Sequence, residues 1–420
     1  MGFGEATIRF QLAQRAASGR RARRTAALTA VLTAVVILVL PSLARSYSFP
    51  PGVEQTGPEQ ILFDWSQNRC QDENIPDAPP RAVRDSWNRL QLLVTHWVNY
   101  RLIGRNFDDL KLDCRMTMGP LQNPNPAAYA DKEWISSPYT IDGTHFWALG
   151  AQEFQGNTHA SMCMTGNYFK CLYMSINLFA SSNRGDTWAH GPPPTQVVAT
   201  TPYQYFKDDG PYGPTTPTNI VRNPRDGYYY SMIRLQGYLA QKAGTCVMRT
   251  RALANPTSWR AWDGSSFSTR FKLTPYNVVR MERAEPFACE PVDYANIEKM
   301  TGSITWNKWL EKWMLIDTVG KYEPSLNHNV YGVYYALSDD LVHWDDRQLL
   351  MHVATLIDHV CGDEDPLVYP SAIDHSSRSR NFETTDQSFY LYFTRIHYAS
   401  SPCYQTLDRD LVRVPIRFTG

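Results

Sequence analysis

The stretch VYGVYYALSDDLVHW, residues 330–344, decides how this chain folds. It opens as an alternating apolar strand, runs into Ser338, Asp339, Asp340 and Leu341, and closes on Trp344. Related endings follow two other strand-like runs, SSNRGDTW at 181–188 and TSWRAWDG at 257–264. A phrase that recurs at strand ends marks repeated units, because each unit places the same turn after the same strand.

Working outward, each such strand is the outer member of a longer phrase. A first strand ends in a turn signal, and a second, more apolar strand follows and ends in a polar residue. Residues 134–140 turn at Asp142-Gly143 into 146–153, and 216–222 turn at Asp226-Gly227 into 228–234. Residues 302–306 turn near Asn307 into 313–317, and 369–373 pair with 389–395. Residues 90–96 form the second strand of a first copy. Outer strands are expected at 172–181, 245–251, 330–337 and 411–418. No unit of this kind buries both faces alone, so the reading is all-β, a five-bladed β-propeller. A β-sandwich or a pair of β-domains is the alternative. Helix is expected only in the leader, since no long run of 3.6 period occurs elsewhere.

Three regions follow. Residues 1–45 hold a basic leader and an apolar signal or anchor segment; 46–80 are a Pro-rich linker and wrapped arm; 81–420 are the propeller. Arg20, Arg21, Arg23 and Arg24 precede the uncharged apolar run 26–40, and small residues follow at Ser42 and Ala44. The run is short against the ~20 residues of a bilayer span, so cleavage is favoured over retention, and an anchor with its basic flank inside is the alternative. Either way the remainder faces an extracytoplasmic, oxidising side, and the membrane enters only through this segment.

Lys plus Arg and Asp plus Glu are 41 each, which excludes the basic field that nucleic acid demands. The 24 Tyr and 12 Trp suit strands and also supply flat faces for sugar rings. The 8 cysteines contain no C-x-x-C, which argues for disulfides over zinc. With units in chain order, the economical pairing joins neighbours: Cys70 with Cys114, Cys163 with Cys171, Cys246 with Cys289, and Cys361 with Cys403.

At these turns the chain resembles known families. Residues 181–188 look like the sialidase Asp-box, with Asn183 where that motif carries Asp. Residues 338–344 are similar to the S-x-D-L-x-x-W blade ending of the five-bladed arabinanase, xylosidase and fructosidase glycosidases. The phrases NFE at 381–383, YLYFTR at 390–395 and LDRDLVR at 407–413 resemble those of uncharacterised secreted bacterial propellers, a likeness spanning about 80–418. The resemblance implies the propeller fold and carboxylates near the start of innermost strands, acting as base, acid and pKa modulator. This chain carries Ser137, Asn219, Ser303 and Ser371 in the corresponding column, so those roles do not transfer residue by residue.

In an antiparallel hairpin the start of the first strand and the end of the second share one edge. The second strands end in His96, Glu153, Arg234, Asp317 and Arg395, which should therefore meet at one mouth of the ring, paired or facing water. Acidic clusters stand just before the first strands: Asp131 and Glu133; Asp208 and Asp209; Glu282, Glu285 and Glu290; Asp363, Glu364 and Asp365. Glycoside hydrolysis needs one protonated and one ionised carboxyl, ~5 Å apart for retention or ~6.5–9.5 Å for inversion. Glu153 and Asp365 are the leading catalytic pair, with Glu290 next. His96, His159, Asn219, Arg234, Asp317, Ser371 and Arg395 are the expected substrate-binding set. Asp317 with Arg395 as a structural ion pair is the bland alternative.

The function expected is that of a glycoside hydrolase acting on a polysaccharide or oligosaccharide. A non-catalytic carbohydrate- or protein-binding propeller is the alternative. No cofactor is expected; a divalent cation among Asp363, Glu364 and Asp365 is a third reading. Composition leaves the oligomeric state, the sugar and the linkage open.

Overall fold

The computed structural model describes residues 47–271 and 285–419. The leader and apolar segment expected at 1–45 lie outside the described residues. Among the described residues no helix is long and apolar enough to cross a membrane.

The alternating runs form five sheets, antiparallel except where Thr384–Thr385 adds parallel to the inner strand of the fourth. Blade 1 contains Arg81–Arg84, Leu90–Leu93, Asn99–Gly104 and Lys111–Met118. Blade 2 is built from Lys132–Thr140, Phe146–Gln155 and Leu172–Ser181 with two short edges, Ala189–His190 and Val197–Ala199. In blade 3, Gly213–Thr215 and Val221–Arg222 both pair with Tyr229–Gln236, followed by Gly244–Thr250, Arg260–Trp262 and Phe267–Thr269. Blade 4 runs Ser303–Asn307, Lys312–Glu323, His328–Ser338 and Gln348–His352. Blade 5 holds Leu367–Ile373, Ser388–Ser400 and Cys403–Phe418. Two strands from the arm, Val53–Gln55 and Gln60–Phe63, add to the last of these antiparallel.

The packing decides between a ring and a sandwich. Five apolar clusters each join two consecutive sheets. Val83 and Leu93 of blade 1 meet Ile135 and Phe146 of blade 2, and Leu149 and Ile176 of blade 2 meet Ile233 and Met248 of blade 3. Met232 and Val247 meet Ile304 and Leu315 of blade 4, Met314 and Val333 meet Leu391 and Val414 of blade 5, and Tyr392 meets Leu92 and Leu102 of blade 1. Both faces of every sheet are thus covered by its neighbours in a closed cycle, the propeller solution to the edge problem.

The Ser338 turn shows why its residues recur. Ser338 Oγ accepts the N–H groups of Asp340 and Leu341 at 3.2 and 2.9 Å. Asp340 accepts those of Val342 and His343 at 2.9 and 2.8 Å. Leu341, at φ 70°, and Trp344 are buried beneath it. The blade 2 turn repeats this with Ser181, Asn183 and buried Trp188, Asn183 accepting the Thr187 N–H at 3.0 Å. In blade 3 the buried tryptophan is Trp259, and Thr250 bonds Ser258 Oγ at 2.6 Å, so the turn occupies only the start of the 257–264 phrase. All four disulfides join the neighbours expected from chain order: 70–114, 163–171, 246–289 and 361–403.

Candidate functional site

The innermost strands converge on a buried cation. Arg81, from the first strand of blade 1, donates to Ser371 Oγ, to Gly302 O and, at 3.4 Å, to Pro217 O, spanning blades 5, 4 and 3. Burial holds its pKa down to about 9, while Asp317 acts to raise it. The column of Ser and Asn stitches the same region. Ser137 Oγ donates to Thr218 O at 2.6 Å, Ser303 Oγ accepts the Ala372 N–H at 3.0 Å, and Asn219 exchanges hydrogen bonds of 2.7 and 2.8 Å with the backbone of Ile304. Strand starts around a ring axis diverge too much for ladder pairing, so side chains satisfy the backbone groups between blades. Asn219 and Ser371, expected to bind substrate, are 8% and 1% exposed and spent on this stitching.

One mouth of this axis holds a cavity of about 80 Å³ lined by Asp77, Trp134, Ser136, Glu153, Thr216 and Tyr369, among others. Glu153 stands opposite Lys132, where the inner strand of blade 2 starts. Tyr168 and Gln155 both donate to its Oε2 at 2.8 Å, and among the described residues no donor meets Oε1. Lys132 Nζ, 2.7 Å from Gln155 Oε1, orients that amide. Burial pushes the Glu153 carboxyl above the usual range, the two hydrogen bonds oppose the shift, and the Asp77 charge adds to it. Burial likewise raises Tyr168 and Tyr369, which stay protonated donors.

Asp77 sits in a different environment. Its Oδ1 pairs with Arg409 and accepts Tyr369 OH at 3.2 Å, while Oδ2 accepts Trp134 Nε1 at 3.2 Å. Two non-glycine lining residues, Thr216 and Tyr369, adopt φ of 46° and 58°. Such a backbone costs of order 1–3 kcal/mol each and gathers at functional sites. The loop bearing Tyr168 is closed by Cys163–Cys171 and held by Asp208, which accepts the N–H groups of Met164 and Thr165 at 3.0 and 2.9 Å.

The mouth edge brings the other candidates together only in part. His96 lies against the same wall, bonded to Glu73 O at 2.9 Å and 3.9 Å from Asp77, with burial driving its pKa down to about 4. His159 bonds Asp131 at 2.9 Å and stacks on Phe154. Asp317 pairs with Arg234 at 3.0 Å and not with Arg395, whose buried partner is Glu59 of the arm.

Asp365 is at the blade 5 edge, not in the cavity, with His397 bridging Asp365 and Asp410 at 2.6 and 2.9 Å. Glu290 is half-exposed beside Lys242 on the blade 3 rim, bonded at 2.6 and 2.8 Å, with its N–H on Trp262 O. The fold therefore does not converge Glu153, Glu290 and Asp365 on one cavity. Glu282 lies outside the described residues. Asp363, Glu364 and Asp365 do not form a cation cage. Among the described residues, compact donor groups at this edge are His397, Asp408 and Asp410, and His359 with the disulfide-bonded Cys361 and Cys403.

Asp77 carries no strand-period signal, because it lies in the Pro-rich arm just before the short first strand of blade 1. Four residues before Arg81, it holds the station where acids were sought in every other blade. Tyr369 and Trp134 were read only as strand residues.

No family model matches the chain, and no curated protein matches it. Among solved structures it is similar to a thermostable family-43 glycoside hydrolase at 11% identity and TM-score 0.42, covering 82% of this chain and 92% of that one. It is also similar to an N-acetylgalactosamine deacetylase from F. plautii in complex with blood group B trisaccharide, at 10% identity and TM-score 0.46, covering 87% and 95%. A third is the Cellvibrio cellulosa alpha-L-arabinanase complexed with arabinohexaose, at 11% identity and TM-score 0.41, covering 80% and 91%. The activities and ligands in those descriptions belong to those proteins.

Proposed function

We propose that this chain is an extracytoplasmic carbohydrate-active protein, a glycoside hydrolase that works on a poly- or oligosaccharide at the mouth holding Glu153 and Asp77. The observation that carries the reading is two carboxyl groups lining one cavity in opposite environments. Burial pushes the Glu153 carboxyl up from the usual range, against its two hydrogen bonds, and Arg409 pairs with Asp77. Acid–base cleavage of a glycosidic bond requires such a division of labour.

With both donors on Oε2, Oε1 is the oxygen of Glu153 placed to carry a proton and pass it to the leaving glycosidic oxygen. As the glycosidic C–O bond breaks, Asp77 faces the positive charge that develops at the sugar ring, and water adds to the anomeric carbon and returns a proton to the Glu153 carboxylate. Tyr168 and Tyr369 fix the two carboxyls. In this reading Asp365 and Glu290 take no part in the chemistry. Four disulfides fit an oxidising compartment.

The test is release of reducing ends from a panel of oligosaccharides by the wild type, Glu153→Gln and Asp77→Asn, with melting temperature followed in parallel. Loss of release in both variants at unchanged melting supports the reading; wild-type release in both sinks it. A second reading, retention of a glycan without cleavage, is favoured by the small cavity and by the partners already on both Asp77 oxygens. A glycan array with product analysis separates the two, since intact ligand recovered from a binding protein selects the second.

A further inference from the structure

At the opposite end of the same inner strands is a pocket of about 290 Å³ containing Arg222, Arg225, Trp306, Trp313 and Glu383. Its position follows from blade 2. Lys132 faces Glu153 at one end of that strand, and Tyr139, whose hydroxyl donates to Glu383 at 3.4 Å, stands at the other. Seven residues of strand separate the two ends by about 23 Å.

The pocket's wall is aromatic. Trp306 and Trp313 are cross-strand partners, packed edge to face at 5.4 Å between centroids. Trp313 is buried behind, and Trp306 remains partly open. The rim is cationic. Arg225 lies 5.5 Å from the Trp306 centroid and donates to Asp339 O, and Arg222 is exposed. The one acid is already saturated: Glu383 accepts the Arg222 N–H at 2.8 Å, Ser379 Oγ at 3.1 Å and Tyr139 OH. Burial pushes its pKa up, and its hydrogen bonds and the Arg222 charge oppose that shift. A flat apolar face bordered by two cations, with the pocket's acid engaged by three other donors, suits an anion that has an apolar face of its own.

We propose that this opposite mouth is a second saccharide site, selecting a uronate-bearing sugar by stacking on Trp306 and by pairing its carboxylate with Arg222 and Arg225. The choice of a saccharide over another stacked anion rests on the reading of the chain as carbohydrate-active; the pocket's preference for an anion does not. The site is non-catalytic and would hold an acidic polysaccharide while the Glu153 mouth acts elsewhere on it.

The test is calorimetric binding of trigalacturonate, maltotriose and AMP to the protein. Trigalacturonate should bind, weaken as salt rises, and lose about tenfold in affinity in Arg222→Gln and in Trp306→Ala. Glu153→Gln should leave that binding unchanged, while reducing-end release is scored separately, so either site can fail alone. Absence of trigalacturonate binding overturns the proposal, as does equal binding of maltotriose, tighter binding of AMP, or wild-type affinity in Arg222→Gln. Since Arg222 is exposed, that variant decides the matter even if Trp306→Ala does not fold.

Discussion

The two mouths of the ring are opposite ends of the same inner strands, yet they differ in charge and in space. At the Glu153 end the arm inserts: Ile75, Pro76, Ala78, Pro79 and Pro80 are buried, and the cavity they help enclose is about 80 Å³. At the Trp306 end the connection bearing Glu383 borders a pocket of about 290 Å³ rimmed by guanidinium groups. The first mouth presents carboxyls and tyrosine hydroxyls, the second an indole and two arginines. Blade architecture cannot be the cause, because the blades are shared. Strand-end residues of the blades supply Glu153 and Tyr369 at one mouth and Trp306 and Arg222 at the other, while segments outside the repeat add Asp77 from the arm and Glu383 from the 374–387 connection.

The largest effect that can break this comparison is on rate. Glu153→Gln should cut reducing-end release by ~10²–10⁴-fold, the usual worth of a general acid, with trigalacturonate binding untouched. A change in both would mean the mouths are coupled.

Next is the tie on the arm. Cys70 and Cys114 are separated by 44 residues, so replacing both with Ser should cost about 4 kcal/mol on the chain-entropy account. Urea denaturation measures that loss. Hydrolysis should fall with it, because the arm carries Asp77, and binding at the opposite mouth should persist in the folded fraction.

Arg81→Met should cost about 3 kcal/mol by stranding three buried acceptors at the axis. Because Arg81 sits between the mouths, both activities should weaken together, in contrast to the arm variant.

The smallest effect is on pH. Hydrogen bonding to Asp410, helped by Asp365, raises His397 from 6.5 to about 9. Its contribution is complete below 6.5 and lost as pH rises toward 9, so wild-type stability should decline over that interval and His397→Gln should flatten the slope. His96 acts in the other direction. Burial lowers it from 6.5 to about 4, so the unfolded chain takes up its proton first and stability falls as pH drops below 6.5. Thermal melts at a series of pH values would show both limbs. Trigalacturonate binding, resting on guanidinium groups, should stay level across the alkaline limb.

Much of the fold was legible because blades are local. Residues 172–181 form the expected outer strand of blade 2, and the hairpins of blades 2, 4 and 5 differ from their expected bounds only at the ends. Asp-Gly at 142–143 turns as expected, with Asp142 accepting the N–H groups of Thr144 and His145. The candidate site was legible only where it follows the strand period, as at Glu153 and His96. Arg395 escaped the rule because the side chain that meets it, Glu59, comes from outside the repeat. Of the clustered acids, Asp131 and Asp208 hold loop backbone and Glu290 pairs with Lys242; charge clustering says nothing of which partner lies across the gap.

Sequence alone determined the β-blade count, the turn chemistry and the cysteine pairing, because each is set by residues adjacent along the chain or in neighbouring strands. Only the tertiary structure decided that Asp77 faces Glu153, that Arg81 spans the axis, and that Trp306 and Glu383 share the far mouth. Those meetings join residues tens to hundreds of positions apart, and they exist only once apolar packing between successive blades has closed the ring.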